Sequence, residues 1–371
     1  MNQTVVSFLS EYAFFDFLTN IFGENSLLLT TIIFLAFAGI FVAVAATIGG
    51  LGTYAERKIS ADIQMRIGPN RVGPYGLLQF LADGVKMIAK EDIMPRTADK
   101  FLFYLAPVLC LVGVFATLAV FPVSSGFTLV DLNVGVFFLI AISSLVGLGV
   151  FLGGYASNSK WSMLGGMRGA SQIISYEIPV TLSVLTITLI AGSMSFGDIV
   201  GKQQGFINNW YIFHNPFTFI AFFVYFVGAL AETNRAPFDL PEAESELVSG
   251  YHTEYTGMRF GFFALAEYIE VFVVAGVAVA LFLGGYNLPF NLKSDFLPLQ
   301  FVEISIFVAK ALALYYVVIW VRWTFPRLRV DQLMSICWKY LTPIAIFNLV
   351  GSAIWIVVFK GQSLTQLIFG H

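Results

Sequence analysis

The chain has 371 residues and a net charge of -3; 58% of it is hydrophobic and 12% charged, against about 45–50% and about 25% in soluble domains. That balance excludes an ordinary water-soluble globule and makes the bilayer the solvent. Two cysteines, Cys110 and Cys337, can assemble neither a disulfide framework nor a four-thiolate iron–sulfur site.

The amino terminus carries no basic n-region, and Glu11 and Asp16 interrupt its first apolar segment. It does not read as a cleaved signal peptide, and residues 5–22 are expected as a short helix lying on the membrane. A spanning helix needs about 20 mostly apolar residues. Eight stretches qualify: 27–54, 101–121, 133–155, 172–193, 216–234, 259–284, 299–321 and 341–360. Ionisable residues interrupt the fourth and seventh. The whole is an all-α polytopic membrane protein with a single transmembrane domain, 1–371.

Between the first two spans, Arg66-Ile-Gly-Pro-Asn-Arg-Val-Gly-Pro-Tyr-Gly76 is too rich in Gly and Pro for a helix and predicts a rigid, turn-laden connection. Beyond it, Leu77, Leu78, Leu81, Val85 and Ile88 recur at helical spacing, with Gln79, Asp83, Lys86 and Lys90 on the other face. A segment of this length (77–90) cannot span. It is either an amphipathic helix in the membrane interface or a surface helix packed on another subunit.

Basic residues set the orientation. Sixteen lie on one side: Arg57, Lys58, Arg66, Arg71, Lys86, Lys90, Arg96, Lys100, Lys160, Arg168, Arg235, Arg259, Arg322, Arg327, Arg329 and Lys339. The other side holds Lys202, Lys293 and Lys360, and Lys310 falls within a span. Both termini therefore face away from the cytoplasm, or from the matrix in an organelle.

Charge inside the apolar stretches calls for a reason. Glu177 begins the fourth span, Glu267 and Glu270 share a helix face in the sixth, and Glu303 and Lys310 lie two turns apart in the seventh. A charge at the bilayer centre costs upwards of roughly 2.5 kcal/mol on insertion scales. Glu303–Lys310 suits an interhelical ion pair. A lone buried acid is either a neutral, hydrogen-bonded carboxyl or a relay, since burial favours the protonated form.

The densest acidity lies in a loop, 235–258, that follows the fifth span. Glu232, Asp239, Glu242, Glu244 and Glu246 fall within fifteen residues, with Arg235 among them. Pro237 and Pro241 limit this backbone, and Phe238, Leu240, Ala243 and Leu247 alternate with the acids, so the segment is expected to pack against something. Carboxylates held this close tend to share a proton. His214, His252 and His371 lack metal-ligand spacing and are expected as ordinary loop histidines. No Gly-rich dinucleotide fingerprint is present, and no cofactor is carried by this chain alone.

Seven segments carry a resemblance: Ala55-Glu-Arg-Lys58, Arg66-Ile-Gly-Pro-Asn-Arg-Val-Gly73, Leu77-Leu-Gln-Phe-Leu-Ala-Asp-Gly-Val-Lys86, Ser175-Tyr-Glu177, Glu232-Thr-Asn-Arg-Ala-Pro-Phe-Asp-Leu240, Glu244-Ser-Glu-Leu-Val-Ser-Gly250 and Pro326-Arg-Leu-Arg-Val-Asp-Gln-Leu333. With them the chain resembles the quinone-channel membrane subunit of respiratory complex I, the NADH-quinone oxidoreductase of bacteria and mitochondria. Val330 stands where many members of that family carry an aromatic residue. Relatives in membrane-bound hydrogenases and in the ferredoxin–plastoquinone complex share the architecture. The intact Glu-Arg-Lys, Gly-Pro-Asn and Glu-Thr-Asn-Arg segments favour the quinone-reducing form.

The resemblance implies eight spans at the heel of a membrane arm and the lipid-side part of a quinone chamber. Glu56, Arg57, Arg66, Asp83, Lys86 and Glu91 would line it from the first loop, and Arg235, Asp239, Glu242, Glu244 and Glu246 from the acidic loop. Glu177, Glu254 and Glu267, with Glu270 on the same face, would begin a proton path. Quinone, either ubiquinone or menaquinone, would be the bound substrate, with iron–sulfur clusters and FMN only in partner subunits. The length favours a bacterial inner membrane over a mitochondrial one. A stand-alone secondary transporter would also use midplane acids but predicts internal repeats, which are not visible. A purely structural anchor would make the buried charges dispensable.

Overall fold

In the computed structural model, residues 27–126, 128–288 and 299–359 are described, together with 362 and 364. The expected surface helix over 5–22 lies outside the described residues. Among those residues the only extended pairing is one isolated bridge, Pro122 to Thr128, and the protein is an all-α polytopic membrane protein.

The long helices are α1 (Leu27–Ile63), α3 (Lys100–Ala119), α4 (Gly135–Ala156), α5 (Lys160–Ala191), α7 (Pro216–Glu232), α9 (Gly257–Phe282), α10 (Leu299–Thr324) and α12 (Thr342–Val358). Shorter ones are α2 (Gln79–Ala89), α6 (Phe196–Gly201), α8 (Glu244–Leu247) and α11 (Val330–Ser335), the last joined to α12 through a π turn, Ile336–Leu341. Among the described residues seven helices, counting α11 to α12 as one, are long and apolar enough to cross a membrane, and α7 is a shorter apolar helix.

By contact density the chain divides into Met1–Thr47 and Ile48–His371. The first includes the start of α1, whose Leu35, Ile40 and Val44 are exposed apolar side chains. The second holds every other described element. Its core joins Tyr176, Phe238, Leu240, Tyr315, Leu333 and Cys337.

Local chemistry explains the helix ends. Asp99 caps α3, its carboxylate accepting from the N–H groups of Phe101 (3.1 Å) and Leu102 (3.3 Å). Asn215 and Thr218 form a reciprocal capping box at α7, with Pro216 at the position where a missing N–H is harmless. Gly192 ends α5 at φ 65, its N–H bonding the Thr188 carbonyl at 2.8 Å.

Several helices overrun the expected spans. α1 continues to Ile63, so Glu56, Arg57 and Lys58 ride on its last turns rather than in a loop. α5 begins at Lys160, well before 172, and carries Arg168 on helix. The acidic loop is not wholly irregular, since it contains α8 and a 3-10 turn, Gly250–His252. Hydropathy marks where lipid ends, whereas backbone hydrogen bonding continues the helix until a breaker stops it.

No residue of α2 is buried, and its Val85 and Ile88 are 64% and 70% exposed. Small residues allow the close crossings. A Cβ on Gly149 of α4 would sit 3.0 Å from the Ala106 carbonyl oxygen of α3, and against Cys110 Sγ. A Cβ on Gly165 of α5 would lie 2.7 Å from the Tyr251 nitrogen, so this glycine lets the acidic segment lie directly on α5.

Candidate functional site

The site begins where α7 ends. The chain leaves Glu232, and Asn234 takes a left-handed conformation at φ 51, which asparagine tolerates better than most side chains. Gln172 of α5, 1% exposed, meets this turn. Its amide nitrogen donates to the carbonyls of Ala231 (2.7 Å) and Phe238 (2.8 Å) and approaches Asn234 Oδ1 (3.2 Å). The next segment is tied to the α10–α11 connection, where Leu328 N–H donates to the Pro237 carbonyl at 3.0 Å. Arg327 pairs there with Asp239 at 2.8 Å.

This frame holds Arg235 in a buried position between three helices. Its guanidinium faces Glu56 of α1 at 3.4 Å and Glu267 of α9 at 3.8 Å, and stacks over Tyr268, 4.2 Å from the ring centre. Glu56 is also paired with Arg322 at the end of α10. The Arg235 contacts to both acids are longer than close hydrogen bonds, and its Nε and Nη2 have no hydrogen-bond partner among the described residues. Burial works against the Arg235 charge, but Tyr268, Glu267 and Glu242 outweigh it and hold the guanidinium more firmly protonated than usual.

Two acids follow one another outward from Arg235. Glu267 accepts a 2.7 Å hydrogen bond from the Tyr251 hydroxyl and lies within hydrogen-bonding reach of Glu242. His252 Nδ1 stands 3.7 Å from Glu242. Burial holds the Asp239 carboxyl above its usual range, with Arg327 opposing. Removing one member of such a buried pair typically costs about 3–5 kcal/mol.

Deeper in the bundle, Glu177, Glu232 and Glu270 from α5, α7 and α9 line one cavity of about 40 Å³ with Ser143 and Tyr225. A water needs roughly 10–15 Å³ measured this way, so the space admits a few. The three acids come from three helices.

The expected residues divide into those brought together and those left apart. Glu56, Arg235, Glu242 and Glu267 form one connected set, and Glu177 and Glu270 share the cavity, Glu270 lying one turn along α9 from Glu267. Asp83 instead makes a separate cluster with Arg57, with Lys86 at 3.8 Å and with Gln79 at 3.1 Å. Arg66 is exposed and bonds only Gln64, at 2.6 Å, among the described side chains. Glu246 turns outward to Arg168 at 2.6 Å. Glu91 is exposed and Glu254 half-buried, and neither makes an ion pair among the described residues. The side chain of Glu244 lies outside the described residues.

Glu303 and Lys310, both on α10, do not pair with each other. Glu303 accepts from the backbone and hydroxyl of Ser125, both at 2.8 Å. Lys310 donates instead to the carbonyls of Leu283, Gly285 and Asn287 at 2.8–3.0 Å, with Trp210 beneath it at 4.3 Å. Helix ends leave carbonyls without partners, and a cation satisfies them where an acid two turns away does not reach. His252, expected as an ordinary loop histidine, stands beside the acids. Arg322, Tyr251 and Tyr268 are further participants that spacing does not reveal; only the position of Arg322 at a span end on the basic side hints at its role. Among the described residues no three His, Cys, Asp or Glu side chains converge as a metal site.

Known proteins place the chain. The model of the NADH dehydrogenase family matches residues 34–353. The chain is 43% identical over 362 residues to the H subunit of NADH-quinone oxidoreductase from Anaeromyxobacter dehalogenans, covering 94% of this chain and 87% of that protein. It is 48% identical over 328 residues to the corresponding protein of Bacteroides fragilis, covering 86% and 89%. Against that of Bacillus cytotoxicus it is 48% identical over 326 residues, covering 86% and 94%. The chain belongs to the NADH dehydrogenase family, alongside these bacterial NADH-quinone oxidoreductase proteins.

Proposed function

We propose that this chain is the membrane subunit of a proton-pumping NADH:quinone oxidoreductase. It forms the lipid-side part of the quinone chamber and couples quinone reduction to proton movement through its buried carboxylates. The observation that carries this is Arg235, buried between Glu56 and Glu267 with donor capacity to spare. Arg235 and its acids form the inner end of the chamber, Asp83 with Arg57 and Lys86 a second wall, and Asp239, Glu242, Glu244 and Glu246 the acidic side. Arg66 and Glu91 serve at the outer rim. α2, with its uncovered apolar row, lies in the membrane interface at the chamber mouth.

Quinone reduction consumes two electrons and two protons, and a polar head beside Arg235 changes the charge this guanidinium balances. Glu267, in reach of both Arg235 and Glu242, then takes up or releases a proton. The change passes to Glu270 and the cavity holding Glu177 and Glu232 as coupled titrations. Glu254 belongs, with Glu177 and Glu267, to the start of this path toward the proton-pumping subunits. The electron carriers, iron–sulfur clusters and FMN, belong to partner subunits, and the setting is a bacterial inner membrane with both termini outside. Glu242→Gln or Glu244→Gln in the assembled complex is expected to lower quinone reductase activity. Wild-type assembly and activity for every acidic-loop substitution would overturn the coupling role.

A further inference from the structure

We infer that Gln172 is the positioning residue that aims Arg235, and that quinone turnover depends on it although it reaches neither Glu56 nor Glu267. The inference rests on the function proposed for Arg235. A carboxamide nitrogen carries two hydrogens, and here the two shortest contacts go to the carbonyls of Ala231 and Phe238, at 2.7 and 2.8 Å. These oxygens bracket the turn that carries Arg235. One is a carbonyl in the last turn of α7, which the Asn234 N–H also reaches, at 3.3 Å. The other belongs to a residue whose ring packs edge-on against Tyr176, one turn along α5 from Gln172. One side chain of α5 therefore pins both ends of the turn.

The orientation of the amide is settled by its partners, because only the nitrogen can serve two carbonyls. The Gln172 Oε1 that results is buried without a hydrogen-bond partner, a cost the protein accepts for the double anchor. The other ties on the segment act further along: Leu328 holds Pro237, and Arg327 holds Asp239. Nothing else among the described residues joins Ala231 to Phe238 through one group. Arg235 contacts its acids at 3.4 and 3.8 Å, so a small loss of aim changes which carboxylate it balances. Misplacement by about 1 Å at a reacting centre is enough for losses of up to roughly 100-fold.

The experiment measures NADH:quinone reductase turnover and KM for quinone, per assembled complex in native membranes, for Gln172→Leu, Arg235→Gln and the double variant. Gln172→Leu keeps the bulk and removes both donors. Its turnover is expected to fall about tenfold or more, and the double variant is expected to be no slower than Arg235→Gln alone, since both act through one guanidinium. A merely structural role multiplies the two losses instead. Where Gln172→Leu does not assemble, Gln172→Asn, one methylene shorter, is put through the same comparison. Wild-type turnover in the Gln172 variant, or losses that multiply, overturns the inference. Wild-type turnover in Arg235→Gln overturns the proposed function beneath it, so the two failures are told apart.

Discussion

Two cations meet α9 at different levels, Arg235 beside Glu267 and Lys310 at the Leu283 carbonyl, about 24 Å apart along the helix, and they are held in different ways. Arg235 faces carboxylates, groups that can titrate, in contacts of 3.4 and 3.8 Å. Lys310 faces three backbone carbonyls at 2.8–3.0 Å, which do not titrate. A cation among carboxylates has a charge balance that nearby chemistry can change. The carbonyls around Lys310 carry no titratable charge, and the lysine ties the end of α9 to the chain that follows it. The partners, more than the depth of burial, separate a candidate coupling residue from a structural one.

The largest effect expected is that of Arg235→Gln. It leaves Glu267 buried without its cation and Glu56 with Arg322 alone. Turnover per assembled complex should fall at least roughly tenfold, because an uncompensated buried charge costs about 3–5 kcal/mol. Lys310→Met should behave in the opposite sense. It strips the donors from three carbonyls, where bonds to a charged group contribute about 1.5–3 kcal/mol each. The thermal midpoint of the solubilised complex should drop, with turnover per surviving complex near wild type. A Lys310→Met complex that is stable yet slow would break the contrast between the two cations.

Asp239→Asn tests the edge of the Arg235 region. Burial raises this carboxyl in the folded protein, so its contribution to stability is complete below the unfolded value and is lost as pH rises through the folded one. The asparagine variant lacks that loss. Its thermal midpoint should gain on the parent's between acidic and neutral pH, and a pH-independent difference counts against the raised carboxyl. The smallest effect belongs to Arg168→Gln, which breaks a partly exposed pair with Glu246. Such pairs contribute about 0–1 kcal/mol, so assembly and turnover should stay close to wild type; a large loss would mean that the network extends further outward than Glu242.

Much of the helical layout was legible because the bilayer imposes a local rule: each crossing segment must be apolar and satisfy its own backbone. The eight stretches rest on that rule, and the described helices overlap each of them. Boundaries drifted where helix continues beyond lipid, as at Lys58 and Lys160. Arg235, Glu242 and Glu267 stood out in the sequence as charge in an otherwise apolar chain. Their connection was not legible, and neither was the part taken by Arg322 or Gln172, because partners distant in sequence leave no periodic signal. Glu303 and Lys310 show the limit of spacing: the shared face was real, but each found a different partner closer at hand.

Composition and hydropathy by themselves determined that this protein is a helical membrane protein, and its motifs carried the family resemblance. Both are properties of short segments, each of which meets its solvent independently of the others. Only the tertiary structure decided which carboxylate meets which cation. Glu56 on α1, Arg235 after α7, Glu267 on α9 and Arg322 on α10 meet because helix packing brings four separate elements to one point, and ionic attraction depends on the separation and on the low dielectric that only this packing creates.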